Sequence, residues 1–129
     1  MKRICVLGGS GFVGQSLCRL LAGNNWLVRV PSRRLASTYA TLRILDGVET
    51  VQQCDIHNPA SLETLFTNCD AVINLVGILN EKGSDGSGFH HAHVELTHKV
   101  VHACQNQGIS RLLHMSALHA DAERGPSHY

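Results

Sequence analysis

The sequence predicts an α/β protein in which a doubly wound parallel sheet carries helices on both faces. Five short apolar runs resemble buried strands, and four segments that alternate with them space their apolar residues as helices do. A cluster of glycines lies directly between the first strand and the first helix. Strands that alternate with helices are typical of parallel sheets with right-handed crossovers.

The first half of the chain begins this alternation. An apolar, β-branched run predicts a strand over 2–7, and apolar residues at helical spacing predict a helix over 12–22, ended by a Gly-Asn pair. A second strand is predicted over 26–30, where a proline follows it, and a second helix over 35–45.

The middle of the chain repeats the pattern. A third strand is predicted over 48–54, and a third helix over 58–66, with Asn58 as its N-cap and Pro59 at its first position. A near-continuous apolar run predicts a fourth strand over 71–76.

The last third starts with a loop. Glycines, serines and charges predict a mobile loop over 80–88, a candidate lid, and helical spacing then predicts a fourth helix over 90–106. A fifth strand is predicted over 111–115, and no element is predicted in the tail 120–128.

Length and composition exclude several classes of protein. A chain of 129 residues is long enough for one domain and too short for two, and 43% hydrophobic residues with 16% charged residues are typical of a globular domain. No apolar run approaches the ~20 residues of a membrane helix. The net charge of +1 argues against nucleic acid or an anionic membrane surface as partner. We therefore expect a small-molecule partner.

The cysteines indicate a reducing compartment. The five thiols form no C-x-x-C pair, and no signal-peptide pattern opens the chain, so we expect a cytoplasmic protein. Each thiol is expected to be a small buried apolar side chain. The five are Cys5, Cys18, Cys54, Cys69 and Cys104.

The glycine turn carries the strongest functional signal. It places glycines where a strand must turn tightly, admit a pyrophosphate and pack closely against a helix, in a register that starts at Gly8 or at Gly9. Its position before the first helix predicts a dinucleotide phosphate at the helix N-terminus. The predicted cofactor-binding residues of the turn are Gly8, Gly9, Ser10, Gly11, Phe12, Val13 and Gly14.

The end of the second strand indicates which dinucleotide binds. The acid that holds a ribose 2′-hydroxyl in NAD proteins is missing there, and Ser32, Arg33 and Arg34 stand in its place. Guanidinium groups bind a phosphate through paired charge-assisted hydrogen bonds, so the sequence predicts NADP(H) in preference to NAD(H). A solvated basic turn is the alternative interpretation.

These motifs together resemble the short-chain dehydrogenase/reductase superfamily, in its extended and atypical, epimerase/dehydratase-like branch, over the whole chain. The glycine turn is similar to that branch's G-x-x-G-x-x-G, and Cys54-Asp55-Ile56 to the segment that places an Asp beside the adenine. Asn74-Leu75-Val76-Gly77 resembles the close of its fourth strand, and 111–116 the strand that delivers a catalytic serine. Similarity to an accessory subunit group of respiratory complex I comes from 28–34, 74–79 and 93–95.

The resemblance implies a Rossmann fold and a set of roles. Asp55, Ile56, Leu75, Val76 and Gly77 would contact the cofactor. Ser116 would orient a carbonyl while Tyr129 acts as general acid/base and the dinucleotide exchanges hydride. Many extended members carry Asn at the position of His93, which puts a proton relay through that residue in doubt.

The resemblance also implies a catalytic lysine four positions after the tyrosine, a position beyond Tyr129, the last residue of the sequence. We therefore expect residues 1–129 to be the dinucleotide-binding, N-terminal part of a longer protein, truncated after strand five, which binds better than it catalyses. The expected activity is that of an oxidoreductase or epimerase acting on an unidentified small molecule. The alternative is a non-catalytic, NADPH-binding structural or accessory subunit, with a homo-oligomer or a membrane complex as partner.

Several residues keep a second interpretation. Asp55 could serve only a turn before the third helix, and Ser116 could be an ordinary strand-end serine. His98 and His102 are four apart on the predicted helix and could share a metal, but a polar helix face explains them without one, and no metal is predicted.

Overall fold

The computed structural model describes residues 2–32, 46–77 and 90–116. The strands in these ranges form one five-stranded parallel sheet. The strand order is β3-β2-β1-β4-β5. It is the doubly wound order in which the crossovers change direction between β1 and β4. The predicted fold class is therefore confirmed. The strands are β1 (Arg3–Leu7), β2 (Leu27–Pro31), β3 (Val48–Val51), β4 (Ala71–Asn74) and β5 (Leu112–His114).

Three helices connect the described strands. They are α1 (Phe12–Gly23), α2 (Pro59–Leu65) and α3 (Leu96–Asn106), the last preceded by a π-helical segment at His90–Glu95. The side chain of Asn58 accepts a hydrogen bond from the backbone N–H of Ala60 at 3.0 Å, which is the N-cap contact that the sequence predicts. The predicted second helix (35–45), the loop (80–88) and the tail (120–128) lie outside the described residues.

Two strands, β3 and β4, end two or more residues earlier than the sequence predicts. β3 stops at Val51 because the chain turns through Gln53, whose φ of 54° is left-handed and breaks the extended conformation. β4 stops at Asn74, whose side chain accepts the backbone N–H of Val76 at 3.0 Å and so bends the chain out of the sheet. These early ends leave longer connections at the carboxyl edge of the sheet.

The core lies on both faces of the sheet because β1 alternates its buried side chains. Ile4 and Val6 pack on the face covered by α1, whereas Cys5 and Leu7 pack on the face covered by α2 and α3. A strand buried on both faces explains why its sequence is continuously apolar. The largest buried side chains on the α2–α3 face include Phe66, Leu62 and Leu96.

The cysteine prediction is correct for three residues and wrong for two. All five thiols are free, and Cys5, Cys18 and Cys104 are buried, but Cys54 and Cys69 are half-buried. Burial raises the pKa of the Cys18 and Cys104 thiols to about 11, since a thiolate loses its hydration inside the core. Within the described ranges, no helix is both long enough and apolar enough to cross a bilayer.

Candidate functional site

The turn after β1 depends on glycine at its first position. Gly8 has φ of 81°, a left-handed conformation that side chains rarely adopt. A Cβ there would lie 3.1 Å from the carbonyl carbon of Leu75 and 3.2 Å from the backbone nitrogen of Val76. The turn therefore meets the end of β4 backbone to backbone, at the point where the crossovers of the sheet change direction.

Two further glycines let the turn pack closely, Gly14 at the start of α1 and Gly9 against β2. A Cβ on Gly14 would lie within 2.3 Å of the Gly8 carbonyl oxygen, and one on Gly9 would lie 2.8 Å from a methyl group of Val30. Gly11 is less constrained, because its Cβ would meet the Gly8 oxygen at 3.4 Å. The glycines that the structure requires for turning and packing are thus Gly8, Gly9 and Gly14.

The N-terminus of α1 is open to an anion. Gly11 is the N-cap, and among the described residues no side chain makes a capping hydrogen bond there. The first intrahelical N–H belongs to Gln15, which donates to the Gly11 carbonyl at 2.9 Å. The N–H groups of Phe12, Val13 and Gly14 have no acceptor within the helix, and they carry the positive end of its dipole. A dinucleotide pyrophosphate fits this arrangement.

The apolar side chains beside this N-terminus face outward. Phe12 is 93% exposed and Val13 is 46% exposed. They contribute little to the core, and their backbone N–H groups are the parts of these residues that the predicted cofactor role needs. Ser10, between the glycines, is half-buried, and its carbonyl accepts a hydrogen bond from the side chain of Gln15 at 2.8 Å.

The end of β4 is organised by a buried amide that is not among the site residues predicted from the sequence. Asn74 is 1% exposed, and its Nδ2 lies 3.3 Å from Nδ1 of His114 on β5. The backbone carbonyl of Asn74 accepts the N–H of Met115 at 3.0 Å. A polar residue at the end of an apolar strand is the sequence signal that could have identified it. Asn74 therefore ties the segment Leu75–Val76–Gly77, which faces the glycine turn, to β5.

The ends of β2 and β3 lie side by side. The N–H of Ser32 donates to the Val51 carbonyl at 2.8 Å, and the N–H of Cys54 donates to the Ser32 carbonyl at 2.7 Å. Ser32 is thus beside the segment that carries Asp55 and Ile56. Arg33 and Arg34, predicted to bind the 2′-phosphate, lie outside the described residues.

Asp55 makes the hydrogen bonds expected of a residue that shapes the turn before the third predicted helix. Its Oδ1 accepts the N–H of His57 at 3.0 Å, and its carbonyl accepts the N–H of Asn58 at 3.2 Å. The turn occupies one carboxylate oxygen of an exposed residue and is compatible with a ligand at the other. The adenine role of Asp55 stays a prediction, as does that of Ile56, which packs partly buried against the core.

The predicted catalytic residues are not brought together within the described part of the chain. Ser116 is exposed, two residues beyond the end of β5 and at the same edge of the sheet as the glycine turn. Tyr129 lies outside the described residues. The pairing of these two side chains remains a prediction.

The π-helical segment before α3 brings histidines to this edge, where the sequence predicts the start of the fourth helix. The ring of His93 packs on Gly77, since a Cβ on that glycine would lie 2.8 Å from Cε1 of His93. The ring of His91 stacks on His57, and its Nδ1 lies 2.9 Å from the Glu95 carboxylate. The hydrogen bond from His91 is the main cause that lowers the pKa of Glu95, so this carboxylate is ionised at neutral pH.

A separate cleft of about 690 Å³ opens between β3 and α2, away from the glycine turn. Its wall includes Arg29, whose guanidinium donates to the carbonyls of Leu65 and Thr67 and pairs with Glu49 at 3.3 Å. Because these contacts fix the carboxyl end of α2, we assign Arg29 a structural role. His98 and His102 are exposed on α3, and in residues 2–32, 46–77 and 90–116 no three metal-binding side chains converge.

Comparison with known proteins gives a family match over nearly the whole chain. The model of the NAD dependent epimerase/dehydratase family matches residues 4–127. A 2-alkyl-3-oxoalkanoate reductase from Stenotrophomonas maltophilia (strain K279a) is 34% identical over 114 residues, which cover 88% of this chain and 33% of that protein. The chain thus spans about a third of the length of this relative.

Solved structures share the fold at lower identity. A UDP-glucuronic acid 4-epimerase from Bacillus cereus in complex with NAD superposes with a TM-score of 0.76 at 22% identity, over 89% of this chain and 39% of that one. A mutant uronate dehydrogenase from Agrobacterium tumefaciens complexed with NAD superposes with a TM-score of 0.72 at 22% identity, over 91% of this chain and 41% of that one. The chain spans about two fifths of either protein.

Proposed function

The chain belongs to the NAD-dependent epimerase/dehydratase family, and we propose that it is the NADP(H)-binding domain of a carbonyl reductase. The observation that carries this proposal is the glycine turn at the switch point of the sheet. Gly8 approaches Leu75 and Val76 through backbone atoms, and the open N-terminus of α1 faces the same edge. The similarity to a 2-alkyl-3-oxoalkanoate reductase favours reduction over epimerisation.

The binding step uses backbone groups of this chain. The N–H groups of Phe12, Val13 and Gly14 hold the pyrophosphate, and the missing Cβ atoms of Gly9 and Gly14 let the turn and α1 pack closely enough to present these groups. Asp55 binds the adenosine part at the end of β3. Once bound, the nicotinamide ring supplies the hydride for carbonyl reduction.

The preference for NADP(H) depends on the end of β2. Ser32 lies beside the Asp55 segment, and Arg33 and Arg34 follow it in sequence. A charge-assisted hydrogen bond from a guanidinium to the 2′-phosphate contributes about 1.5–3 kcal/mol. NADH has no such phosphate and gains nothing from either arginine.

The proton chemistry would belong to Ser116 and Tyr129. The Ser116 hydroxyl donates a hydrogen bond to the substrate carbonyl oxygen, and the Tyr129 phenol delivers the proton to that oxygen. A phenol of pKa about 10 needs a nearby cation to transfer protons efficiently at neutral pH, and no lysine follows Ser116 in the sequence. We therefore expect residues 1–129 to bind NADP(H) more effectively than they turn it over.

Calorimetric titration of the chain with NADPH and NADH tests the proposal. We expect tighter binding of NADPH, and we expect Arg33→Asp to weaken it by about tenfold to a hundredfold, the equivalent of the bond above, while NADH changes little. Arg19→Asp reverses a charge at an exposed position of α1 and should leave both affinities unchanged. Preference for NADH would overturn the assignment of the arginines. Failure to bind either dinucleotide would overturn the proposed function.

A further inference from the structure

Two distant segments of the chain are joined by stacked imidazoles at the carboxyl edge. The ring centroids of His57 and His91 are 4.1 Å apart, and the ring planes differ by 14°. His57 belongs to the connection between β3 and α2, whereas His91 belongs to the π-helical segment before α3. The stack therefore holds the β3–α2 connection against the start of the last helix.

The same connection carries Asp55. The N–H of His57 donates to Asp55 Oδ1 at 3.0 Å, and Nζ of Lys99 on α3 donates to the His57 carbonyl at 2.9 Å. A displacement of the His57 ring would therefore move the backbone group that orients the Asp55 carboxylate.

We propose that His57 and His91 are positioning residues for the dinucleotide site, and that protonation of both rings weakens cofactor binding. The proposal depends on the proposed function, in which Asp55 contacts the adenosine part. Stacked imidazoles tolerate one positive charge, but two like charges at this separation repel each other. Histidine changes its charge between about pH 5 and 8, so the effect belongs to weakly acidic solution.

The charges around the stack favour one imidazolium over two. On the His91 side, the Glu95 carboxylate lies 2.9 Å from His91 Nδ1 and 3.6 Å from His90 Nε2, so it can balance one added charge. On the His57 side stand the ammonium of Lys99 and, in the same connection, the Asp55 carboxylate. A second imidazolium, on His57, would therefore form against a charged ring, in a residue whose backbone carbonyl already binds the Lys99 ammonium.

The test compares the chain with the double variant His57→Phe/His91→Phe at about pH 7.5 and about pH 5.5. Phenylalanine keeps a flat ring for stacking and cannot be protonated. The affinity for NADP⁺, measured by calorimetry, should fall about fivefold more in the original chain than in the variant. This fold-change corresponds to about 1 kcal/mol, the repulsion of two charges about 4 Å apart in water. The titration of the cofactor's own phosphate is common to both proteins and cancels.

A matched control and a single variant support the comparison. His98→Phe changes an exposed histidine on α3 outside the stack and should keep the pH dependence of the original chain. His91→Phe alone also removes the second charge, so it gives the same answer if the double variant does not fold. Parallel pH dependence in the chain and in the folded Phe variants would overturn the proposal.

Hydrogen exchange separates this proposal from the proposed function. If neither protein binds a dinucleotide at either pH, the function has failed, and the exchange of the backbone amide at position 57 still tests the positioning role. The protection factor of this amide should be lower at about pH 5.5 than at about pH 7.5 in the original chain, and it should stay constant in the double variant. Equal protection in both proteins would overturn the proposal.

Discussion

The connections after β1 and after β3 lie at the same edge of the sheet, but different interactions hold them. The turn after β1 is fixed by backbone contacts that require the absence of side chains, as at Gly8 and Gly14. The connection after β3 is fixed by side chains, namely the Asp55 turn, the His57–His91 stack and Lys99. The first connection is built on glycines that are close together in the sequence, whereas the second depends on residues from the π-helical segment and from α3.

This difference predicts two kinds of response to change. An added atom in the glycine turn meets backbone that cannot move aside, so the penalty should be steep. A lost side-chain contact after β3 removes one of several small contributions, so the penalty should be modest and should depend on pH where the partners titrate.

The largest expected effect is that of Gly14→Val. Its Cβ would lie within 2.3 Å of the Gly8 carbonyl oxygen and 2.5 Å from Gly9 Cα, and both of these are backbone atoms. We expect the free energy of unfolding to fall by about 3 kcal/mol, measured by urea denaturation, with loss of dinucleotide binding.

The matched control is Gly23→Ala in the same helix. A Cβ at Gly23 has no neighbour within 4 Å, so alanine should be neutral or stabilise the protein by about 0.5 kcal/mol. Similar penalties for the two substitutions would contradict the view that close backbone contact makes the turn sensitive.

The second effect concerns Asn74, which supports the segment facing the glycine turn. Asn74→Ala removes a buried side chain that accepts the Val76 N–H and contacts His114, and it should lower the free energy of unfolding by about 2 kcal/mol. His114→Ala removes only the contact at the exposed end and should cost less than about 1 kcal/mol. A larger loss for His114→Ala than for Asn74→Ala would show that the Val76 bond contributes little.

The sequence predicts the glycine turn and the order of elements because both depend on residues that are close together in the chain. It also predicts the Asn58 cap for the same reason. It does not predict the end of β4, which depends on one buried amide, or the π-helical segment, whose histidines make contacts with other parts of the fold. For Asp55 the sequence leaves two interpretations open, and the observed turn shows only one of them.

The third effect tests the β3–α2 connection through its cap. Asn58→Ala leaves the Ala60 N–H at the start of α2 without its acceptor and should lower the free energy of unfolding by about 1 kcal/mol. Thr64→Ala, at an exposed position of the same helix, should stay within about 0.5 kcal/mol. Equal values in thermal or urea denaturation would mean that the cap does not fix this connection.

The smallest effect is a dependence on pH at Glu63, where α2 meets the end of α3. Hydrogen bonds from Asn106 and Gln107 lower the pKa of this carboxyl below its ordinary value of 4.5. Because the folded form holds the proton less tightly than the unfolded form, the contribution to stability is complete above pH 4.5 and disappears as the pH falls through the lowered pKa. The stability difference between the chain and Glu63→Gln should therefore favour the chain at neutral pH and shrink in acid. Urea midpoints of the chain and of Glu63→Gln, measured at neutral and at acidic pH, test this prediction, with Asp46→Asn as a control at an exposed position. A stability difference that is the same at the two pH values would exclude linkage through the Glu63 carboxyl.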